Sequence, residues 1–429
     1  MEERNRDGYI SWTCYNNSEQ KANLSSLGSQ LDLLRQRIAA VDRKYATAPP
    51  AQPKPRIEDW ISGAEVQTAA GAHFECTRLW GRHQRHGSMH LAELEEWPAD
   101  LLHAISDGAI PHTTPQRLAF LDTETTGLAG GTGTYPFLVG VGGITERGFE
   151  VRQFFMRDYA EEPSQLTALS EFLEQFDVLV TYNGRAYDQP LLETRFRLAR
   201  MKPPFGRMEH LDLLYGARRL WKLHFESCRL VELETQILGY EREGDVPGSM
   251  IPYLYFEYLR TRHAGRLAGI FEHNALDIVT LACLTGIVPR AFAEPLSVKL
   301  HRGAEMVGLG RWLRKAERLD DAAVLFRRAI EKGLPDELLW RTMWDSALLE
   351  KKQGREAAAT ALFSELSTVR NPHQGGAFEE LAKFFEHKEK NVAMALDMTD
   401  AALRLGRTES LLKRRERLAK KQSPARRLL

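Results

Sequence analysis

The stretch LAFLDTETTG, residues 118–127, decides the fold. Its first four residues form an apolar run typical of a buried strand, and two acids follow, Asp122 and Glu124. Because side chains alternate along a strand, these two carboxylates project from the same face at the end of the strand. Such like-charged neighbours are costly unless a cation is present, and a hard divalent cation bound by oxygen ligands supplies one. The alternative is a pair of exposed acids at a strand end.

The sequence on either side predicts a mixed sheet. Two apolar-rich runs, YPFLVGVGGI and FEVRQFFM, are separated by the turn-like TERG and predict two further antiparallel strands. Next come helical periodicity over residues 164–176, the strand VLVTYN, the helix QPLLETRFRLAR and the strand HLDLL. We therefore predict an α/β fold with a five-stranded mixed sheet flanked by helices, over residues 112–292. The glycine-rich GLAGGTGT is not followed by the Lys-Ser/Thr of a Walker phosphate-binding loop.

Two more acids could reach the first pair across this sheet. Asp188, in TYNGRAYDQP, lies beyond the fourth predicted strand at the start of a helix, where it could also serve as an N-cap. Asp277, in IFEHNALDIVTLACL, lies on an apolar helix, with His273 one turn earlier on the same face. A local His–Asp pair on a helix surface is the alternative. Asp212, in HLDLL, is a fifth acid, which either supports a neighbouring ligand or serves only the fold.

Together these segments resemble the DEDD, or DnaQ-like, exonucleases of the ribonuclease H-like fold, which are named after four metal-binding acids in three motifs. LDTETTG matches the first motif with Asp122 and Glu124, YNGRAYD the second with Asp188, and HNALD the third with Asp277. LDTETTGLAGGTGT, VTYNGRAYDQPLL, HLDLL and GDVPGSMIP are similar to the YprB-type branch, which often carries helical repeats after the nuclease domain.

The resemblance implies a nuclease that hydrolyses phosphodiester bonds, most often as a 3'–5' exonuclease on single-stranded ends. The metal ligands would be Asp122, Glu124, Asp188 and Asp277, which can neutralise two divalent cations, Mg²⁺ or Mn²⁺, in a two-metal-ion mechanism. His273 is the predicted general base, four positions before the last Asp where the family's histidine usually stands five before it. An endonuclease is one alternative, and a catalytically silent scaffold that binds nucleic acid or protein is another.

Substrate contacts are predicted from residue type. Cations can pair with phosphates and an aromatic ring can stack on a base, which suits a single strand of DNA or RNA. The predicted contacts are Thr125, Asn183, Arg195, Arg218 and Trp221. The alternative for the cations and the tryptophan is a solvated helix face with a core aromatic.

Further segments lie outside the sheet region. In residues 1–55, apolar positions from Leu24 to Tyr45 predict a helix that either pairs with a second chain or packs against its own chain, and a Pro-rich linker follows it. Residues 56–111 form a small extension that could contain a hairpin, and His83, His86 and His90 there are either metal ligands or ordinary loop histidines. Weak self-similarity in residues 300–410 predicts all-α tetratricopeptide-like repeats that could hold a protein partner, or a plain helical bundle.

Composition sets wider limits on function. There are 58 Lys+Arg and 58 Asp+Glu residues, so bulk charge predicts no partner. Residues 411–429 nevertheless form a basic tail, which either contacts nucleic acid or is a solvated helix end. The four cysteines form no Cys-x-x-Cys pair, which argues against a disulfide framework. The sequence shows neither a signal peptide nor an apolar run near the ~18 residues of a membrane span, so we predict no membrane partner and a cytoplasmic location.

Overall fold

A computed structural model describes residues 35–39, 56–106, 108–127 and 132–422. Residues 35–39 are helical (α1), and Ile38 packs against a buried apolar cluster of the same chain that includes Phe74 and Phe155. The rest of the predicted N-terminal helix, the Pro-rich linker, most of the glycine-rich loop and residues 423–429 lie outside the described residues.

The centre of the molecule is a mixed sheet of seven strands, with a separate two-stranded ribbon beside it. In chain order, the strands are β1 (Ala64–Thr68), β2 (Gly71–Gly81), β3 (Arg85–His86), β4 (Met89–His90), β5 (Leu118–Thr125), β6 (Pro136–Thr145), β7 (Gly148–Phe155), β8 (Val178–Thr181) and β9 (Glu209–Asp212). The sheet order is β1-β2-β7-β6-β5-β8-β9, and β3 pairs with β4 in the ribbon. Strands β5, β8 and β9 run parallel, whereas the other neighbouring pairs are antiparallel.

Helices cover the sheet and then form the whole C-terminal part. They are α2 (Leu101–Ile105), α3 (Glu162–Leu173), α4 (Asp188–Leu198), α5 (Leu213–Trp221), α6 (Leu230–Leu233), α7 (Ile251–Thr261), α8 (Leu267–Ala293), α9 (Gly303–Lys315), α10 (Leu319–Lys332), α11 (Asp336–Lys352), α12 (Glu356–Thr368), α13 (Gln374–His387), α14 (Val392–Leu405) and α15 (Glu409–Gln422). The predicted α/β domain followed by an all-α part is confirmed.

The prediction of five strands was two strands short. The β1–β2 hairpin, in the predicted extension over residues 56–111, pairs antiparallel with the outer edge of β7. Phe74 of this hairpin is fully buried, and its ring meets that of Phe155 edge-on at 6.5 Å. Burying this aromatic pair gives a physical reason for the hairpin to extend the sheet, since apolar area removed from water stabilises the fold.

The central helix α8 lies close against the sheet because two positions of β6 are glycine. A Cβ atom at Gly140 would lie 2.2 Å from Asn274 Oδ1, and one at Gly142 would lie 2.5 Å from Ile278. The absence of these side chains brings the third predicted motif to the end of β5. Helix α8 is also long and apolar enough to span a membrane by composition, but 83% of its most apolar window is buried inside the protein, as in a core helix.

The C-terminal helices pack in chain order, each on the next, from α9 to α15. The weak self-similarity rests on Ala322 and Phe326 in one helical hairpin, on Ala359 and Phe363 in the next, and more loosely on Met394 and Met398 in the third. The first four of these side chains are buried, whereas Met394 is 37% exposed. Helix α9 joins this part to the α/β domain, since the ring of Trp312 lies 4.5 Å from that of Phe292 at the end of α8. The assignment of these hairpins to tetratricopeptide-like repeats stays a prediction.

The described part of the basic tail forms helix α15, which packs on α14. Three of its cations, Arg414, Arg417 and Lys421, bind the carboxylate of Glu386 on α13 at 2.5, 2.8 and 3.2 Å. The side chain of Glu386 is only 2% exposed. These cations are therefore committed to holding the last helix in place, which favours a structural role for this stretch over contact with nucleic acid.

Acid should weaken the attachment of α15. Burial alone would raise the pKa of Glu386, but the bonds from Arg417 and Lys421 outweigh it and lower this pKa to about 2. Because the folded pKa lies below the ordinary value, the ion pairs stabilise the fold above about pH 4.5, and their contribution is lost as the pH falls toward 2. We expect Glu386→Gln to reduce the free energy of unfolding by about 1–2 kcal/mol at pH 7.

Urea unfolding followed by circular dichroism at a series of pH values measures this effect. The difference between wild type and Glu386→Gln should shrink steadily as the pH is lowered below about 4.5. Glu409→Gln is the matched control, because the Glu409–Lys413 ion pair is exposed and contributes little. A difference between wild type and Glu386→Gln that stays the same at all pH values would contradict the prediction.

Candidate active site

The first pair of acids lies at the end of β5, beside helix α8. Asn274 of α8 donates a hydrogen bond from Nδ2 to Oδ2 of Asp122 at 2.8 Å, and it also reaches the Asp122 carbonyl oxygen at 3.3 Å. The amide of Asn274 is itself oriented, because Gln153 Nε2 donates to its Oδ1 at 2.8 Å. Both Asn274 and Gln153 are buried. The sequence analysis missed Asn274, although it stands inside the HNALD motif.

The second motif is joined to the first through Thr123. Its hydroxyl donates a hydrogen bond to Oδ1 of Asp188 at 2.5 Å. Asp188 is the first residue of α4, whose N-cap position is taken by Tyr187. The carboxylate of Asp188 therefore does not cap its helix and faces the end of β5 instead.

Asp212 serves the fold of the loop that precedes Asp188. Its Oδ1 accepts hydrogen bonds from the backbone N–H of Asn183 at 2.8 Å and of Leu214 at 3.1 Å, and its Oδ2 accepts one from Arg185 N–H at 3.1 Å. Asn183 has a φ of 68°, a left-handed conformation that asparagine tolerates better than most residues. Among the two roles considered for Asp212, the hydrogen bonds favour the purely structural one.

The third motif combines a histidine and an acid on one face of α8. Nε2 of His273 lies 3.7 Å from Oδ2 of Asp277, and Nδ1 of His273 lies 2.7 Å from Oδ1 of Asp245. Asp245 belongs to the loop between Gly239 and α7, within the stretch GDVPGSMIP. The sequence of this stretch alone predicts no role for Asp245.

A buried arginine, Arg242, ties the same loop to the third motif. Its Nη2 donates to Oδ1 of Asp277 at 2.6 Å, its Nε donates to Oε2 of Glu234 at 2.5 Å, and its Nη1 lies 3.4 Å from Oδ2 of Asp245. The side chain of Arg242 is 3% exposed and that of Glu234 is fully buried. The guanidinium therefore bridges three carboxylates, and no part of the sequence analysis pointed to it.

The predicted histidine cluster does not form a metal site. His86 is buried, with Nε2 3.0 Å from Oε1 of Glu234 and 2.8 Å from the hydroxyl of Thr280. His83 and His90 are exposed. His86 thus completes the hydrogen bonds of the glutamate that holds Arg242, which is a structural role.

Three of the four acids of the motifs, Asp122, Glu124 and Asp188, share one desolvated region. Burial raises the pKa of Asp122 well above its usual range, and the charges of Asp277, Glu124 and Asp188 raise it further. Burial is also the main reason why the pKa of Glu124 rises to about 8, with Asp277 and Asp188 adding to the effect and His273 opposing it. Burial raises the pKa of Asp188 to about 6, against the bond from Thr123. Carboxylates that are buried beside other negative charges are expected to attract a cation.

The negative charges of the acids also raise the pKa of His273. Burial lowers the pKa of the imidazole, but the charge of Asp277 and the bond to Asp245 outweigh this and raise the pKa to about 9. The imidazole therefore carries a proton at pH 7 in this arrangement and neutralises part of the negative charge of the acids.

The chemistry of the donors fits a divalent cation of the oxygen-preferring kind, Mg²⁺ or Mn²⁺. In the parts of the chain that the structure describes, no three His, Cys, Asp or Glu side chains are arranged so that they could hold one ion. Arg242 is bonded to one oxygen of Asp277. Cation binding would therefore require these side chains to draw together.

Two of the five predicted substrate contacts are wrong. Arg195 is 4% exposed, and its Nη2 binds Glu162 at 2.6 Å while its guanidinium lies 3.7 Å above the ring of Tyr135. Trp221 is 2% exposed and packs in the main apolar cluster. Both side chains face inward because each lies on the core side of its helix, a distinction that residue type alone cannot make.

The other three predicted contacts, Thr125, Asn183 and Arg218, are at least partly exposed. Asn183 and Arg218 line a surface cavity of about 590 Å³, together with Lys222 and Arg229. All three of these cations are exposed. The hydroxyl of Thr125, at the end of β5, donates to the carbonyl oxygen of Gly127 at 2.8 Å.

Comparisons with known proteins agree with this architecture. A family model described as RNase_H superfamily matches residues 119–288, which include nearly all of β5, the whole of α4 and most of α8. The protein YprB of Bacillus subtilis (strain 168), whose description is "uncharacterized protein", is 35% identical over 360 residues. These residues cover 79% of this chain and 84% of YprB. The chain therefore belongs to the same family as YprB and carries a domain of the ribonuclease H superfamily.

Proposed function

We propose that the protein is a metal-dependent nuclease that shortens single-stranded ends of DNA or RNA in the 3'–5' direction. One observation carries the proposal: four carboxylates from three separate segments influence one another at the end of β5, where burial and repulsion raise the pKa of three of them. Membership of the ribonuclease H superfamily suggests nuclease activity in general. The resemblance to DEDD exonucleases adds the direction of cleavage.

The proposed ligands of two divalent cations are the four acids of the motifs, Asp122, Glu124, Asp188 and Asp277. When bound, Mg²⁺ or Mn²⁺ would supply activation of a water molecule and neutralisation of charge at the leaving oxygen. The protein contributes orientation, since Asn274 fixes the carboxylate of Asp122 and Thr123 fixes that of Asp188. Positioning of this kind lowers the cost of assembling the reacting groups.

His273 is the proposed general base. Its Nε2 lies 3.7 Å from Asp277 Oδ2 and so stands at the edge of the acid cluster, where it could accept a proton from the attacking water. The charge of Asp277 is the main influence that raises the pKa of this imidazole. Neutralising the acids with cations removes that influence and favours the neutral ring that a base requires.

The proposed path of the substrate is the cavity beside the second motif. Arg218, Lys222 and Arg229 are exposed around it, and cations in this position suit phosphates of a single strand. Tyr187, the N-cap residue of α4, and Tyr215 on α5 are exposed aromatic residues that could stack on bases. These tyrosines take the role that the sequence analysis gave to Trp221.

A protein partner of the C-terminal helices is a secondary part of the proposal. A cavity of about 250 Å³ there is lined by Phe363 and Phe384 and by the cations Lys351 and Lys383. A mixture of aromatic and charged side chains between stacked helices suits a peptide segment.

Cleavage assays test the proposal directly. Purified protein is incubated with single-stranded DNA and RNA labelled at either the 5' or the 3' end, in Mg²⁺, Mn²⁺ or a chelator. We expect a ladder of progressively shorter products from the 5' label and released mononucleotides from the 3' label, only when a divalent cation is present. Asp188→Asn, purified in parallel, controls for contaminating nucleases and should give no ladder.

Other outcomes of the cleavage assay would indicate a different function. Labelled fragments of intermediate length from both the 5' and the 3' label would indicate an endonuclease. Absence of metal-dependent cleavage on every substrate would leave a scaffold that binds nucleic acid or protein, an alternative that the bond from Arg242 to Asp277 favours. Identical cleavage by wild type and Asp188→Asn would contradict the nuclease proposal.

A further inference from the structure

The loop from Gly239 to Asp245 carries two charged side chains into the third motif. Gly239 and Gly244 both have left-handed φ angles, 67° and 64°, which glycine adopts readily. Val246, next to Asp245, is 1% exposed and belongs to an apolar cluster that also contains Met250. The backbone on the C-terminal side of Asp245 is thereby anchored, so the carboxylate is presented to α8 from a fixed position.

The contact between Asp245 and His273 has a definite orientation. Nδ1 of the imidazole and Oδ1 of the carboxylate are 2.7 Å apart, and a carboxylate can only accept, so Nδ1–H donates. Nε2, the opposite ring nitrogen, is thereby directed toward Asp277 and the acid cluster. A carboxylate that binds one ring nitrogen fixes both the tautomer and the rotation of a histidine.

Arg242 restrains the same carboxylate from its other side. Its Nη1 lies 3.4 Å from Oδ2 of Asp245, while its Nη2 binds Asp277 at 2.6 Å. The two carboxylates on either side of His273 are therefore linked through one buried guanidinium. Rotation of Asp245 away from the imidazole would break both of its ion pairs.

We infer that Asp245 is a positioning residue of the active site, which orients His273 so that Nε2 faces the reacting water. The inference rests on the proposed nuclease function and extends it to a residue outside the three motifs. Asp245 touches no substrate in this role. It acts through the ring of His273, because its carboxylate binds Nδ1 of that ring on one side and Arg242 on the other.

Kinetics of Asp245→Ala and Asp245→Asn test the inference. For Asp245→Ala we expect kcat to fall about 10- to 100-fold, the usual effect of removing a group that orients an active-site histidine, with KM unchanged. Asp245→Asn keeps a carbonyl oxygen that can accept from Nδ1–H, so it should recover part of kcat. Asp177→Ala is the control, because the carboxylate of Asp177 pairs with Arg117 at the surface, and this variant should leave kcat unchanged.

Nuclear magnetic resonance measures the orientation of the His273 ring independently of catalysis. In ¹H–¹⁵N spectra of the histidine rings, the hydrogen-bonded Nδ1–H of His273, identified by its loss in His273→Gln, should disappear in Asp245→Ala and persist in Asp245→Asn. A persistent signal in Asp245→Ala, or an unchanged kcat of this variant when the wild type is active, would overturn the role of Asp245 and leave the proposed nuclease function standing. A wild type that cleaves no substrate would remove the proposed function and, with it, the catalytic role of Asp245.

Discussion

The Asp122→Asn variant is expected to cleave nucleic acid at least about a thousand-fold more slowly than wild type and yet to be more stable by about 1 kcal/mol. A thousand-fold loss corresponds to about 4 kcal/mol of transition-state stabilisation, which is within what a metal ion supplies. The gain in stability has a separate cause. Burial and three neighbouring acids raise the pKa of Asp122, so its ionised form costs free energy in the folded state.

The sign of the stability change follows from linkage. A carboxyl whose folded pKa lies above its unfolded pKa destabilises the fold once the pH exceeds the unfolded value, about 4. Asparagine has the same shape and no charge, and its carbonyl oxygen can still accept the hydrogen bond from Asn274. The advantage of Asp122→Asn over wild type should therefore be present at pH 7 and disappear as the pH falls toward 4.

Urea unfolding in the presence of a chelator and cleavage rates in Mn²⁺ are the two measurements. Added Mn²⁺ should stabilise wild type and leave Asp122→Asn almost unaffected, because a ligand that binds only the folded state raises its stability. Asp177→Asn is a matched control at an exposed ion pair and should change neither quantity. An Asp122→Asn variant that loses stability along with activity would show that Asp122 serves the fold.

Local geometry explains why the acids of the motifs could be found from the sequence. Asp122 and Glu124 are two residues apart at the end of a strand, and His273 and Asp277 are four apart on a helix, so each pair shares a face by the periodicity of its element. The order of strands and helices then brings the pairs together at the end of β5. These inferences need only the repeat of each element and the direction of the chain.

Contacts between distant segments could not be found in the same way. Arg242 and Asp245 reach α8 from an irregular loop, more than 25 residues away in the chain, and no periodicity links them to His273. Irregular segments fix their side chains through tertiary contacts, as the burial of Val246 illustrates. The recurrence of glycine at 239 and 244 was a signal of unusual backbone, but it could not say which side chains would enter the site.

Residue type was a poor guide to substrate contacts for a related reason. A cation such as Arg195 and an aromatic ring such as Trp221 suit nucleic acid, but the same groups also suit a buried ion pair and an apolar core. The direction of each helix face decides between these uses. Arg218, on the same helix as Trp221, is exposed and lines the cavity beside Asn183. A step of three residues along α5 therefore leads from this surface cavity to the apolar core.

The Arg242→Met variant is expected to lose about 3–5 kcal/mol of unfolding free energy, a large share of the stability of a typical protein. Removing the guanidinium would leave Glu234, which is fully buried, without the cation that it binds at 2.5 Å. The remaining bonds of Glu234, from His86 and Thr280, satisfy only its other oxygen. An unpaired charge in such surroundings is costly because water cannot solvate it.

A double-mutant cycle separates this cost from the packing of the arginine side chain. Arg242→Met combined with Glu234→Gln removes both charges, so the double variant should be more stable than Arg242→Met alone, as measured by urea unfolding. Arg197→Met is the surface control, since the Arg197–Glu193 pair is exposed and should contribute less than about 0.5 kcal/mol. If Arg242→Met cost no more than Arg197→Met, the buried pair would not hold the loop, and the fixed position of Asp245 beside His273 would need another cause.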